Sequence, residues 1–231
     1  LGYNRDQVIT LQQTGQNADR STTLRNELLR NPNVIAAGTS TVRLGQQLGR
    51  TQIYPEGMSN ETNIITSIMA VDESFLPTMN MSILAGRNFS TDFNDSLSMI
   101  INEEMMRLLK WEEGVGRKIS LQSGPNPTDQ TAYTVVGVVK DFHFKSLYEK
   151  IEPLFLSLRE GNYKYLAVKL SKDNAQGSLD HIRKTWTGIA PDSPFEYFFY
   201  DSFYSQLYKK ESQFNKMILF FSIIAILIAC V

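Results

Sequence analysis

The chain has 231 residues, 42% of them hydrophobic, and its 23 Lys plus Arg against 24 Asp plus Glu leave a formal net charge of −1. That balance supplies no basic field for a phosphate backbone, so nucleic acid is excluded as a partner of the usual electrostatic kind. The one cysteine, Cys230, sits in an apolar C-terminal run, so residues 1–216 can form neither a disulfide nor a thiolate metal site, which suits an oxidising compartment.

Residues 1–216 are enough for one large domain or two small ones. Gln7 to Thr14 alternates and reads as a strand, Ser21 to Arg30 as a helix with Leu24 and Leu28 on one face, and Val34 to Thr41 as a second strand. Asn31-Pro32-Asn33 punctuates the helix end. The middle differs in texture. Asn63 to Val71 is apolar enough for a strand, and Leu84 to Phe89 looks like a turn closing onto a Ser-, Asp- and Asn-rich loop. Ser98 to Ile101 leads into a helix that Asn102 can cap, with Glu103 and Glu104 where the helix dipole favours them. Lys118 to Gln122 and Ala132 to Val139 read as strands joined by a surface loop.

Near the end the opening order recurs: strand Tyr165 to Leu170, helix from about Asn174 to Ile189, strand Phe195 to Tyr200. The expected fold is α+β, with a discontinuous body (1–90 and 161–205) built from two strand-helix-strand units around a β-rich inserted subdomain (91–160).

After Pro194 the chain has neither Gly nor Pro. With Asp201 or Ser202 as a cap, one helix of about 30 residues, roughly 45 Å, can run from the body toward a membrane. Such a rod transmits displacement where a Gly/Ser linker would not. Its candidate coupling residues are Tyr204, Tyr208, Glu211 and Phe214. Tyr204 and Tyr208, one turn apart, also suit an interfacial belt. Met217 to Val231 carries no charge and no polar stripe beyond Ser222. It would rise about 22 Å, whereas a hydrocarbon core of about 30 Å needs on the order of 20 residues. The expectation is the start of a transmembrane helix, with lipid around 217–231, in a segment of a larger membrane protein. Lys209, Lys210 and Lys216 flank it but are diluted by acids and give little guidance on topology.

Motifs for chemistry are weak. Gly114-Val115-Gly116-Arg117-Lys118 lacks phosphate-loop spacing and reads as a turn entering a strand. Asp141 and His143 could be imagined as a general-base or metal pair, but the only other histidine is His181, too few for a metal set; hydrogen bonding at a strand end explains them better. Ser146 and Ser157 lack a nucleophile-elbow context. No catalytic residue, cofactor or metal site is expected.

Several strings in order, Gly2 to Ile9, Val71-Asp72-Glu73-Ser74-Phe75, Ala85-Gly86-Arg87-Asn88-Phe89-Ser90, Ile101-Asn102-Glu103, Val136 to His143, Ile151-Glu152-Pro153 and Leu207-Tyr208, together resemble the extracytoplasmic region of FtsX-like/MacB-like ABC transporter permeases of the Bacteroidetes type. The resemblance spans nearly the whole chain. It implies a permease of four membrane helices in the bacterial inner membrane, with a large periplasmic domain between the first and second. It further implies pairing as a homodimer or heterodimer, a cytoplasmic ABC ATPase subunit or domain, and a periplasmic or outer-membrane partner. Residues 1 to about 210 would be periplasmic, and the domain noncatalytic, coupling ATP hydrolysis to export or mechanotransmission. One departure is Leu109-Lys110-Trp111, where relatives commonly place Gly before the aromatic, so the local turn is expected to differ. The competing expectation is an extracytoplasmic ligand-sensing domain of a receptor, which should hold one compact small-molecule pocket; an enzyme comes third.

Overall fold

The computed structural model describes residues 7–13, 20–58, 64–126, 129–145, 149–158, 163–171, 174–191 and 193–199. The chain opens with β1 (Val8–Gln12), α1 (Ser21–Leu28) and β2 (Val34–Ser40). There follow β3 (Gly49–Pro55), β4 (Ile64–Val71), α2 (Phe75–Thr78), β5 (Ile83–Gly86), β6 (Ser98–Asn102) and α3 (Glu103–Leu109). Strands β7 (Lys118–Gln122), β8 (Gln130–Val139) and β9 (Leu154–Leu158) lead to a closing β10 (Tyr165–Leu170), α4 (Ala175–Ile189) and β11 (Tyr197–Phe199).

The first and last units interleave. Their strands lie in the order β11-β1-β10-β2 with every neighbour antiparallel, so each strand-helix-strand unit has a strand of the other between its own two. This is a split βαβ arrangement. Helices α1 and α4 pack together over one face, where Ile9, Leu11, Leu166, Val168 and the fully buried Trp186 and Ile182 make a core. Val8 and Ala167 belong to the core on the opposite face, so β1 and β10 are buried on both faces, and where Gln7 to Thr14 was expected to alternate, Val8 to Leu11 is a run of four buried residues.

The chain leaves this sheet after Ser40 and re-enters it at Tyr165. A single pair, Ser40 with Val71, joins β2 to β4. From β4 the pairing runs β4-β3-β7-β8-β6-β9 and returns to β4 through the parallel β4–β9 ladder, closing a six-stranded ring. Ile53, Met99, Ile101, Ile119, Val135 and Phe155 form one buried cluster contributed by five of its strands. Strands β3 and β4 enter this ring from residues 49–71, upstream of the 91–160 segment. A third core lies between ring and sheet, where Phe75, Leu76 and Met79 meet Val139, Phe142 and Leu156. Helix α2 reaches it because Gly38 of β2 has no side chain: a Cβ there would lie 2.5 Å from the Phe75 Cα.

Three elements were not expected from sequence. Strand β3 opens with Gly49-Arg50-Thr51-Gln52, polar and without alternation, and holds its place through its ladders to β4 and β7. Strand β9 is an apolar run directly after Pro153, and α2 is one turn containing Pro77. The expected turn at Leu84 to Phe89 is in its first part a strand, ending at Gly86 with φ +73°. The expected cap of α3 is present: Asn102 Oδ1 accepts from Met105 N at 3.1 Å. The expected membrane-entering helix lies outside the described residues, and among those described no helix is long and apolar enough to cross a membrane.

Helix α3 ends at the residue where the resemblance marked a departure. Lys110 takes the left-handed conformation (φ 54°, ψ 37°), Trp111 N donates to Met106 O at 3.1 Å and Lys110 N to Arg107 O at 3.2 Å, a Schellman closure made without glycine. A side chain in that region costs about 1 kcal/mol. Lys110→Gly is therefore expected to stabilise the fold by about 0.5–1 kcal/mol, read as a higher urea midpoint with an unchanged denaturant slope.

Candidate functional site

Within the described residues, strings that carry the resemblance sit where neighbouring elements are joined. Asn102 is fully buried at the end of β6 and its side chain makes three hydrogen bonds. Besides capping α3, its Oδ1 accepts from Leu154 N at 2.9 Å and its Nδ2 donates to Glu152 O at 3.0 Å, which ties the start of α3 to the start of β9. Glu152 itself accepts from Lys145 Nζ at 2.8 Å and Ser67 Oγ at 3.3 Å, and Lys145 holds its carboxyl below the usual carboxylate range. Asp141 accepts from Glu104 N at 2.9 Å and pairs with Arg107, while its own N–H donates to Glu103 Oε2 at 2.8 Å. Burial pushes the Asp141 carboxyl up, against the pull of Arg107. Phe142, fully buried, and Asp141 are thus structural, and no group of three His, Cys, Asp or Glu suited to a metal occurs among the described residues. Gly114 to Arg117 is a turn, Arg117 N donating to Gly114 O at 3.1 Å, that delivers the chain into β7.

The second joint is the β5 edge. Gly86 and Gly137 face each other across β5 and β8, and a Cβ on either would lie 2.2 Å from a backbone oxygen of the opposite strand, Val136 O or Arg87 O. This contact aims Arg87 along the following loop. Arg87 makes two 2.7 Å bonds to the buried Asp95, which also accepts from Ser90 N and Ser98 Oγ, so one carboxylate gathers residues 87–98. Arg87, chiefly, holds the Asp95 carboxyl down at about 2. The Arg87 guanidinium also lies 4.2 Å above the exposed ring of Phe93 and so fixes it in place.

Across from Phe93 stands a charged triad. Arg25 Nη1 of α1 reaches Asp72 Oδ2 at 3.0 Å and Glu73 Oε1 at 2.9 Å, and Thr39 Oγ1 of β2 donates to Asp72 Oδ2 at 2.9 Å. Burial raises Asp72; the Thr39 hydrogen bonds and Arg25 only partly counter it. Asn88 Nδ2 donates to Glu73 O at 2.7 Å and binds the two sides together. Between them lies a cleft of about 1010 Å³ whose floor includes Ile68, Leu121 and Tyr133 of the ring.

The proposed coupling residues Tyr204, Tyr208, Glu211 and Phe214, and the apolar 217–231, lie outside the described residues. The strand that leads to them is described. Strand β11 pairs with β1, Ile9 opposite Phe199, and an aromatic ladder, Trp186 to Phe195 to Tyr197 to Phe199 with centroid spacings of 6.0, 5.3 and 5.6 Å, fastens it to α4. The Arg43 guanidinium lies 4.3 Å over Phe198 from the other side. Sequence reasoning anticipated the strand from Phe195 to Tyr200 but missed Arg43, Arg25 and Asp95, which look like ordinary surface charges until the fold buries Arg43 and Asp95 and half-buries Arg25.

This two-part body, closed by its first and last segments, is that of a permease extracytoplasmic region. Residues 3–181 match the MacB-like periplasmic core domain, and the chain belongs to that family, the extracytoplasmic domain of FtsX-like/MacB-like ABC transporter permeases, which work with ABC ATPases. Among solved structures it resembles the periplasmic region of MacB from Actinobacillus actinomycetemcomitans, with a TM-score of 0.61 at 13% identity over 88% of this chain and 93% of that one. A permease-protein domain from Porphyromonas gingivalis gives 0.58 at 18% identity over 84% and 88%. The extracellular domain of the ABC-type transporter YknZ from Gram-positive bacteria gives 0.56 at 13% identity over 82% and 97%. At these identities the likeness to the solved structures is one of fold. No functionally curated protein matches the chain.

Two outcomes follow from the joints. Asn102→Leu leaves the Met105 and Leu154 amides and the Glu152 carbonyl without their partner, and is expected to lower stability by about 3–4 kcal/mol in urea unfolding. Asp95 has a folded value of about 2 against an ordinary 3.8, so its stabilisation is complete above the unfolded value and is lost as the pH falls from there through about 2. Asp95→Asn should flatten the stability–pH curve in that window and cost about 2 kcal/mol at pH 7, measured as urea midpoints across pH.

Proposed function

We propose that this domain is a noncatalytic coupling element that passes motion, driven by cytoplasmic ATP hydrolysis, from a membrane helix to its own two lobes for export or mechanotransmission. The carrying observation is the seat of β11. Its last residue, Phe199, pairs with Ile9 near the start of β1, so the leads into residue 8 and out of residue 199 lie side by side at one end of the sheet. A rod over 201–231 anchored in the inner membrane, with Tyr204, Tyr208, Glu211 and Phe214 on it, would hand displacement to β11 and through the aromatic ladder to α4. The polypeptide up to about 210 would then be periplasmic.

The division into a body of 1–90 and 161–205 with an inserted 91–160 is part of this reading. It is supported by a core drawn wholly from β1, α1, β2, β10, α4 and their flanks, and by a ring core drawn mainly from residues after 98. Because β3 and β4 also serve the ring, a displaced body moves the insert through a common wall. A second permease copy and a periplasmic or outer-membrane partner complete the proposed assembly.

The test uses the full permease with its ATPase in nanodiscs, with spin labels at Thr23 and Thr91, exposed positions on opposite sides of the cleft. ATP is expected to shift the label distance, and a Gly-Gly insertion between Lys209 and Asn215 is expected to abolish that shift while the body stays folded. The same shift with the insertion in place would refute rod coupling.

A further inference from the structure

One end of the six-stranded ring opens into the cleft. Ile68 of β4, Leu121 of β7 and Tyr133 of β8 belong with the ring core, are only half-buried, and line the cleft floor. An open barrel mouth is a common place for a ligand to seat an apolar group. The walls above it are of another kind. On one side stand Arg25, Asp72 and Glu73, two carboxylates against one guanidinium; on the other, Phe93 stands more than half exposed on a loop that Asp95 and Arg87 have already fixed. Glu73 uses Oε1 for Arg25, while its Oε2 has no partner among the described residues and its side chain is 27% exposed, enough to receive another donor.

From this juxtaposition we propose that the cleft binds a peptide segment carrying a basic residue next to an apolar one. The ammonium or guanidinium pairs with Glu73 and the apolar side chain enters the ring mouth. The charge argument is direct. The triad keeps a net charge of −1 when its three groups are ionised, in a site partly screened from water, so it favours a cation and repels a carboxylate. Asp95 adds nothing to that field because Arg87 neutralises it. A peptide fits better than a compact metabolite, because the cleft is open and at the upper end of ligand-sized volumes, and the hydroxyls of Thr91 and Ser157 can meet backbone amides and carbonyls. Phe93 supplies a rigid aromatic anchor whose ordering is complete before binding, which lowers the entropic cost of association. This site does not depend on the coupling reading, since binding is measured without ATP.

The probe is fluorescein-labelled Ser-Lys-Leu-Ser, titrated by anisotropy with the whole 231-residue chain in uncharged detergent micelles, beside empty micelles and labelled Ser-Glu-Leu-Ser. Saturable binding of the Lys peptide is expected, at least tenfold tighter than that of the Glu peptide. Glu73→Gln and Phe93→Ser, both at solvent-accessible positions that leave the buried cores untouched, should each weaken it at least tenfold while urea midpoints move little. Equal binding of the two peptides, unchanged binding by Glu73→Gln, capture by empty micelles alone, or no saturable binding at millimolar peptide would each overturn the proposal.

Discussion

Strand β4 belongs to two structures at once, and everything else depends on how it manages that. Along most of its length it is bonded to β3 on one side and β9 on the other, which makes it a stave of the ring. At its last residue, Val71, it pairs with Ser40 of β2 and so makes, among the described residues, the only ladder contact between ring and sheet. One bridging pair is too little to fix an angle between two bodies. The angle is set instead by side chains clustered around that point: Tyr163 donating to Val71 O at 3.1 Å, Thr41 exchanging bonds with Ala70, and the core under α2. A narrow backbone junction is thus splinted by packing and hydrogen bonds.

The residues that carry the resemblance in the described part of the chain hold neighbouring elements together. Asp72, Arg87, Asn88, Asn102, Asp141 and Glu152 all satisfy backbone groups or pair charges where two elements meet. None is placed as a nucleophile or as a base facing an open reaction site. Buried polar groups of this sort are costly when half-satisfied and specifying when complete. Asn102 illustrates it: an isosteric apolar residue would fill the same space, yet only a carboxamide accepts from two amides while donating to a carbonyl.

The strands and helices of the interleaved sheet were legible because each is local and its helices are periodic, whereas the interleaving itself, set by the β1–β10 ladder, was not. Leu179, Ile182 and Trp186 fall on one face of α4 in sequence and in space, and Asn102 announced its helix by chemistry alone. The ring was not legible as a ring. Closure depends on the parallel β4–β9 and β6–β8 ladders between segments far apart in the chain, and β3 gave no periodic signal because its polar half is held by neighbours and not by burial. The cleft was equally hidden. Arg25 and Glu73 are separated by most of the first lobe, and no spacing rule connects them until β2 and α2 bring them together. Lys110 was flagged as a departure, and the outcome is instructive: the turn kept the form glycine would favour and absorbed the strain.

The pairing of β11 with β1 has a mechanical meaning that its short length sharpens. Because the two leads emerge at the same end of an antiparallel pair, pulling them in the same direction loads the whole sheet as a block. Pulling them apart instead opens the three-residue ladder one bond at a time from Phe199 inward, at low force. The pairing therefore resists a common pull and yields to a separating one, so the direction of a load on the two leads, more than its size, decides whether the edge strand stays in the sheet.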